Sequence, residues 1–305
     1  MNYMHTMANW LGNNASRGSA TFDGAVTGLS RADFLLGTTS SWNQGTPATW
    51  YQRQHYIGLY AQDTWKMNQR LTLSYGIRWE PYFAMSAKDK AWSHFDRALF
   101  DQNVHSTVFV NAPAGLIVPG DPQYTVGNAP HGSSYGKFVP RIGLAWDPQG
   151  NGRMTIRAAY GMFTDRRFFW SYTAFTTAPP YGNATTLQNV KISDPWGNYP
   201  GGNPFPLYLS KTMVLPLSGT YSNHPFEYKP SYMNQWNLSI QRQLGTDWLV
   251  SANYLGNNTI HFPAAVQVNP GLFLGLGPCA IAGVSYTVCS TTANLNQRRP
   301  LYMQN

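Results

Sequence analysis

Residues 71–80 read LTLSYGIRWE and alternate strictly between apolar and polar or glycine positions. The apolar positions are Leu71, Leu73, Tyr75, Ile77 and Trp79. Successive side chains of a β-strand point to opposite faces of the sheet, so a period of two predicts a strand with one apolar face and one polar face. The stretch therefore favours an all-β fold.

The same alternation recurs, less cleanly in residues 56–66, in further segments that pair across short turns. These segments are 56–66, 139–147, 153–163, 232–243 and 248–256. The predicted turns are 67–70, 149–152 and 245–247, and the Gly-Asn-Gly in the second is a tight-hairpin signal. The sequence thus predicts three β-hairpins with strands of about ten residues, which is long enough for a tilted strand to cross a bilayer.

Long segments rich in Pro, Gly, Asn and Ser separate the hairpins at 83–137 and 164–231, and another follows at 259–305. Loops of this size are uncommon in compact domains, but outer-membrane barrels alternate short periplasmic turns with long extracellular loops. Aromatic residues near the strand ends are typical of the interfacial girdles of such barrels. These are Trp65, Trp79, Trp146, Tyr160, Phe163, Trp236, Trp248 and Tyr254. We therefore expect a partial antiparallel transmembrane β-barrel of outer-membrane type, with short periplasmic turns and long extracellular loops.

Composition agrees with this class and excludes others. Charged residues make up 11% of the chain, against about 25% in typical soluble domains, whereas aromatic residues make up 15%. No run of about 18 apolar residues occurs, so the sequence predicts no transmembrane helix. The net charge is +8, but the basic residues are scattered, which argues against a nucleic-acid partner.

The expected organisation has three parts. Residues 1–54 form an irregular N-terminal part of the barrel region, with RADFLLG at 31–37 as a short turn or helix. Residues 55–258 carry the three hairpins, and residues 259–305 form an extracellular loop that stops before the next strand. The N-terminus has neither a charged n-region nor an apolar h-region, so we expect the chain to be a piece of a longer exported protein.

Two cysteines, Cys279 and Cys289, lie in a Gly-rich segment. A disulfide in an oxidising compartment is the favoured interpretation, and two unpaired thiols are the alternative. No histidine or second cysteine pair lies at metal-ligand spacing around them.

The sequence contains none of the motifs GxSxG, HExxH, GxGxxG or the phosphate-binding loop of NTPases. We therefore expect a protein that is not an enzyme, with no catalytic, cofactor or metal site. Aromatic residues crowd the 164–231 segment, where they either stack on a ligand or pack the loop on itself. The candidate ligand-contacting residues are Trp170, Tyr172, Tyr181, Trp196 and Tyr199.

Several segments also resemble a known family. LYAQDTWKMNQRLTLSYGIRWEP at 59–81 resembles a hallmark hairpin of TonB-dependent receptors. ADFLLG at 32–37, FVPRIGLAWDPQGNGRMTIRAAYGMFTDR at 138–166 and YMNQWNLSIQRQLGTDWLVSANYLGN at 232–257 are similar to the Oar-like branch of that group.

The resemblance implies a receptor in the outer membrane that contacts outer-membrane lipid and imports a ligand by plug-gated, energy-coupled transport. It also implies the TonB energy-coupling complex as a partner, acting through a plug region that we expect to lie outside these residues. Siderophore, cobalamin, oligosaccharide and peptide all remain open as ligands. The alternative is a soluble all-β carbohydrate-binding module, which suits the aromatic content but not the three long segments.

Overall fold

A computed structural model describes residues 1–167, 169–216, 220–291 and 294–303. The chain forms two compact units, residues 1–261 and 262–305. None of the helices in the described residues is both long enough and apolar enough to cross a membrane.

The first unit is built mainly from antiparallel strands. Its helical segments are α1 (Ser30–Leu35), α2 (Arg97–Asp101) and a 3₁₀ helix at Phe169–Thr177. Its strands are β1 (Asn2–Gly12), β2 (Ser19–Thr21), β3 (Ser41–Gly45), β4 (Ala48–Lys66), β5 (Leu71–Trp79), β6 (Ser86–Ala87), β7 (His94–Phe95), β8 (Leu116–Ile117), β9 (Phe138–Trp146), β10 (Met154–Thr164), β11 (Ala184–Gln188), β12 (Tyr232–Leu244) and β13 (Trp248–Ile260).

One large sheet dominates this unit, in the order β1-β4-β5-β9-β10-β12-β13, with β6 on the side of β4. The three hairpins predicted from the sequence are present as β4–β5, β9–β10 and β12–β13. Residues 1–54 differ from the prediction, because β1 pairs with the first part of β4, which starts at Ala48 rather than at residue 56. The sequence of β1 does not alternate cleanly, so its periodicity does not predict a strand.

One face of the sheet is apolar across five strands. Paired residues share a face, so the registers give continuous rows of side chains. One row is Leu71, Trp146, Ile156, Ile240 and Ala252, and the next is Leu73, Leu144, Ala158, Leu238 and Tyr254. Many of these side chains are exposed, with Leu238 at 41% and Tyr254 at 61%. A contiguous exposed apolar surface of this kind marks a site of contact with protein or membrane.

Three long segments, 13–47, 80–137 and 165–231, leave the sheet at one end and fold together; we call them the loop domain. They are not structureless. Strand β3 pairs with β2 on one side and with β11 on the other, which joins the first and third segments. The fully buried Trp92 packs against Trp50, Tyr172 and Phe175, with ring centroids 5.2 to 5.7 Å apart. Enough apolar side chains are thus present for the loops to form a core of their own.

Tight turns close the hairpins at the other end of the sheet. In the turn after β9, the Asp147 carboxylate accepts backbone N–H bonds from Gln149, Gly150 and Gly152 at 2.8 to 3.2 Å. These bonds lower the pKa of Asp147. Gly150 and Gly152 both have positive φ, a conformation that glycine adopts without steric cost.

The second unit contains a small hairpin, β14 (Cys279–Ile281) and β15 (Val284–Tyr286), a 3₁₀ turn at Asn296–Arg298 and a short helix, α3 (Pro300–Met303). Cys279 and Cys289 form a disulfide, the pairing favoured from the sequence. Arg298 is 6% exposed and donates hydrogen bonds to Asn294 Oδ1 and to the carbonyls of Thr291 and Leu272. The disulfide and this arginine together organise a unit with little apolar core.

Candidate functional site

The polar face of the main sheet lines a cavity of about 680 Å³. The cavity lies against the middle of strands β4, β5, β9, β10 and β12. Its volume falls within the range of pockets that hold small organic ligands. The cavity is therefore the leading candidate for a binding site on the sheet.

The registers place one row of polar side chains across the cavity floor. Gln62 pairs with Gly76, which pairs with Arg141; Arg141 pairs in turn with Gly161, and Gly161 with Gln235. All five residues line the cavity. Neighbouring strands are about 4.8 Å apart, so each glutamine lies about 10 Å from Arg141 along the row. We call this set the Gln-Arg-Gln row.

Arg141 lies at the centre of the row with open space on both sides, because both neighbours in the sheet are glycines. Its guanidinium carbon lies 4.7 Å from the centroid of the Phe163 ring, a cation–π contact. A Cβ added at Gly161 would lie 3.2 Å from the Phe163 ring and 3.7 Å from Arg141 Cγ. Glycine at this position therefore leaves room for the stacked pair. Phe163 was predicted as a girdle aromatic; that is wrong, because register places it on the polar face.

A second arginine on this face is neutralised by a neighbouring carboxylate. Arg78 donates from Nε to Glu80 at 2.5 Å and from Nη2 to the Tyr56 hydroxyl at 2.6 Å. Tyr56 in turn donates to Glu80 at 2.5 Å, and Thr164 also donates to Glu80. A Cβ at Gly58 would lie 2.5 Å from Arg78 Nη2. The network joins β4, β5 and β10 where the sheet meets the loop domain.

The loop domain contains a buried group of histidines and tyrosines. His131 is 1% exposed; its Nδ1 lies 3.1 Å from the Gly132 carbonyl and so donates to it, which leaves Nε2 to accept from the Tyr172 hydroxyl at 2.6 Å. The ring of His224 contacts that of Tyr172 at 5.0 Å. Burial, with a smaller contribution from the charge of Arg167, lowers the pKa of His131 to about 4 and that of His224 to about 3. Both imidazoles are therefore neutral at ordinary pH.

The structure distributes the predicted ligand-contacting aromatics over the loop domain and does not gather them at one surface. Tyr172 is fully buried in the core around Trp92, and Tyr181 packs edge-on against Phe109 at 5.7 Å. Trp196 is 6% exposed and packs edge-on against Tyr199 at 5.0 Å. The side chain of Trp170 lies outside the described residues. Packing accounts for the burial of Tyr172, and ligand contact by the set stays a prediction.

Among the described residues, no group of three or more His, Cys, Asp and Glu side chains is placed to hold a metal ion. The arrangement on the polar face instead offers hydrogen-bond donors and one accessible guanidinium. No motif in the sequence marks Gln62, Arg141 and Gln235 as a group. The only local signal was their position on the polar side of alternating strands; their alignment follows from pairing between strands far apart in the chain.

An antiparallel sheet with one apolar face, one polar cavity-lining face, tight turns at one end and long loops at the other defines a membrane β-barrel wall. The chain belongs to the outer membrane beta barrel domain family, whose model matches residues 1–305, and the protein is therefore located in the outer membrane. Comparisons with curated proteins and with solved structures found no match.

Proposed function

We propose that this chain forms part of the barrel of a TonB-dependent receptor of the Oar-like branch, which binds a ligand and imports it. The observation that carries the proposal is the two-faced sheet, with its apolar rows on one side and the Gln-Arg-Gln row on the other. The β4–β5 hairpin and its LYAQDTWK motif support the assignment to the TonB-dependent group, through the resemblance of residues 59–81.

In the proposed arrangement, the apolar rows contact outer-membrane lipid and the polar face lines the interior. The tight turns lie on the periplasmic side and the loop domain lies outside the cell, which is the arrangement of outer-membrane barrels in general. A soluble carbohydrate-binding module is not favoured, since it would leave the two apolar rows exposed to water.

The proposed role is binding and transport, without catalysis and without a nucleic-acid partner. The loop domain captures the ligand, the polar face carries it inward, and TonB supplies energy through a plug. The open polar face and the cavity on it support this path, because a ligand in transit needs donors that bind without holding it too strongly.

Cysteine labelling in intact cells tests the orientation. Asp89 lies in the loop domain and Thr246 in the turn between β12 and β13, and both are exposed. We expect Asp89→Cys to react with a membrane-impermeant maleimide in intact cells, and Thr246→Cys to react only after the outer membrane is permeabilised. Cys279 and Cys289 are joined in a disulfide and give no background. The reverse labelling pattern would refute the orientation, and a protein recovered in the detergent-free aqueous fraction would refute the membrane role.

Energy coupling has its own test. Formaldehyde cross-linking in intact cells, followed by purification of the protein and immunoblotting, should recover TonB. The same cross-linking is carried out on the Thr246→Cys protein, whose maleimide labelling verifies expression and insertion in those cells. Absence of TonB from cross-linked material in which the protein itself is abundant and correctly inserted would remove the TonB-dependent part of the proposal.

A further inference from the structure

The polar face of the main sheet is unbalanced in charge. Within β4, β5, β9, β10, β12 and β13 it carries Lys66, Arg78, Arg141 and Arg157, and the registers place no carboxylate on it. Glu80, which directly follows β5, is ion-paired with Arg78. The remaining cations form no ion pair within the described residues, so the face attracts anions.

Arg141 differs from the other cations in its surroundings. It lines the cavity, whereas Arg157 and Lys66 do not. Phe163 supports one face of its guanidinium at 4.7 Å, which restricts the group without using its N–H donors. Arg141 has no hydrogen bond or ion pair among the described residues. A guanidinium whose orientation is restricted and whose N–H donors are unpaired can bind a carboxylate or a phosphate through two parallel hydrogen bonds.

The neighbours of Arg141 leave space for a ligand. Gly76 and Gly161 flank it and present no side chains, and the amide groups of Gln62 and Gln235 lie beyond them on the same row. Neutral amides can donate to the remaining oxygens of an anion without competing for its charge. The row therefore offers one guanidinium at its centre and one neutral amide donor at each end.

We propose that the Gln-Arg-Gln row is a binding site for an anionic group of the ligand, a carboxylate or a phosphate, with Arg141 as its bidentate partner. The inference rests on the proposed function, in which this face lines the path of the ligand, and it narrows the ligand class to molecules that carry such a group.

Calorimetric titration of the full chain in detergent with inorganic phosphate, and separately with citrate, tests the site. Arg141→Gln should weaken binding at least about tenfold, since a charge-assisted bidentate pair contributes at least that much to affinity. Arg157→Gln is the matched control: it removes the same charge from the same face but lies outside the cavity, and it should change the affinity less than about twofold. Binding of one anion only would support the site and identify which oxyanion it takes.

Two results would overturn the inference: no binding of either anion by the unmodified protein, or equal weakening by both variants, which indicates attraction to the face as a whole. Arg141→Lys covers the case in which Arg141→Gln fails to fold, because it keeps the charge but loses the planar fork, and it should still weaken binding severalfold. A protein that labels and inserts as proposed but binds neither anion refutes only this inference. A protein that stays in the aqueous fraction refutes the proposed function.

Discussion

Acidification is expected to loosen the loop domain, because burial lowers the pKa of three of its histidines, His94, His131 and His224. His131 accepts a hydrogen bond from the Tyr172 hydroxyl through Nε2. Protonation of Nε2 would make it a donor, so the Tyr172 hydroxyl could no longer donate to it. His224 packs against the same tyrosine ring, and Arg167 lies over it at 5.2 Å. A second positive charge in this core would therefore meet both desolvation and repulsion.

The size of the effect follows from the pKa of His131. Its pKa falls from 6.5 to about 4 on folding, and one pKa unit corresponds to about 1.4 kcal/mol, so the shift amounts to about 3 kcal/mol. The folded pKa is depressed, so the unfolded state binds the proton first as the pH falls. The contribution to stability is complete above about pH 6.5 and is lost as the pH falls towards about 4. His224, whose pKa is about 3, acts in the same direction.

Tryptophan emission and limited proteolysis of the detergent-held protein between pH 8 and pH 4 measure this loss. Trp50 and Trp92 report directly, since both lie in the same core. His131→Gln should remove the His131 part of the acid dependence and leave the part due to His224, at the cost of lower stability at neutral pH. His261→Gln, at an exposed position, should leave it unchanged. A loop domain that stays protease-resistant down to pH 4, or acid sensitivity that is undiminished in His131→Gln, would refute this account.

Three further changes probe other parts of the chain. Glu80→Gln removes the charge that faces a half-buried guanidinium and should lower the free energy of unfolding by about 1–3 kcal/mol in urea titrations, whereas Glu227→Gln, at an exposed position, should not. Joint replacement of Cys279 and Cys289 by serine should cost the second unit about 3 kcal/mol of chain-entropy stabilisation, seen as faster proteolysis there and no change in the first unit. Asp147→Ala leaves three backbone N–H groups without their acceptor and should slow refolding into micelles; an unchanged rate would show that the turn forms late.

The sheet could be predicted from the sequence largely because alternation is a local signal. Residues 71–79 form β5 as expected, and the hairpins closed by 67–70, 147–153 and 245–247 lie where the alternation and the turn residues place them. Strand β1 could not be found in this way. Its side chains Met4, Met7 and Trp10 do not keep to one face, and its strand conformation depends on pairing with β4.

The candidate site could not be read from the sequence, because it depends on register. Arg141, Gln62 and Gln235 are polar residues in three different hairpins, and only strand pairing aligns them. Phe163 shows the same limit: its aromatic character indicated an interface, but its position in β10 places it beside Arg141. Tyr172 is buried through packing against Trp92, about eighty positions earlier in the chain, which no local pattern reveals.

Strand β4 is 19 residues long, or about 60 Å at about 3.3 Å per residue, more than twice the height of about 25 Å of a typical apolar band. Its first part carries Trp50 into the core of the loop domain, and the adjoining β3 holds strands from two different segments. The loops and the wall are thus one folded body. Exchanging a whole loop with a relative would remove packing partners from the other two, so new ligand preferences in this protein should arise through single substitutions on a fixed scaffold.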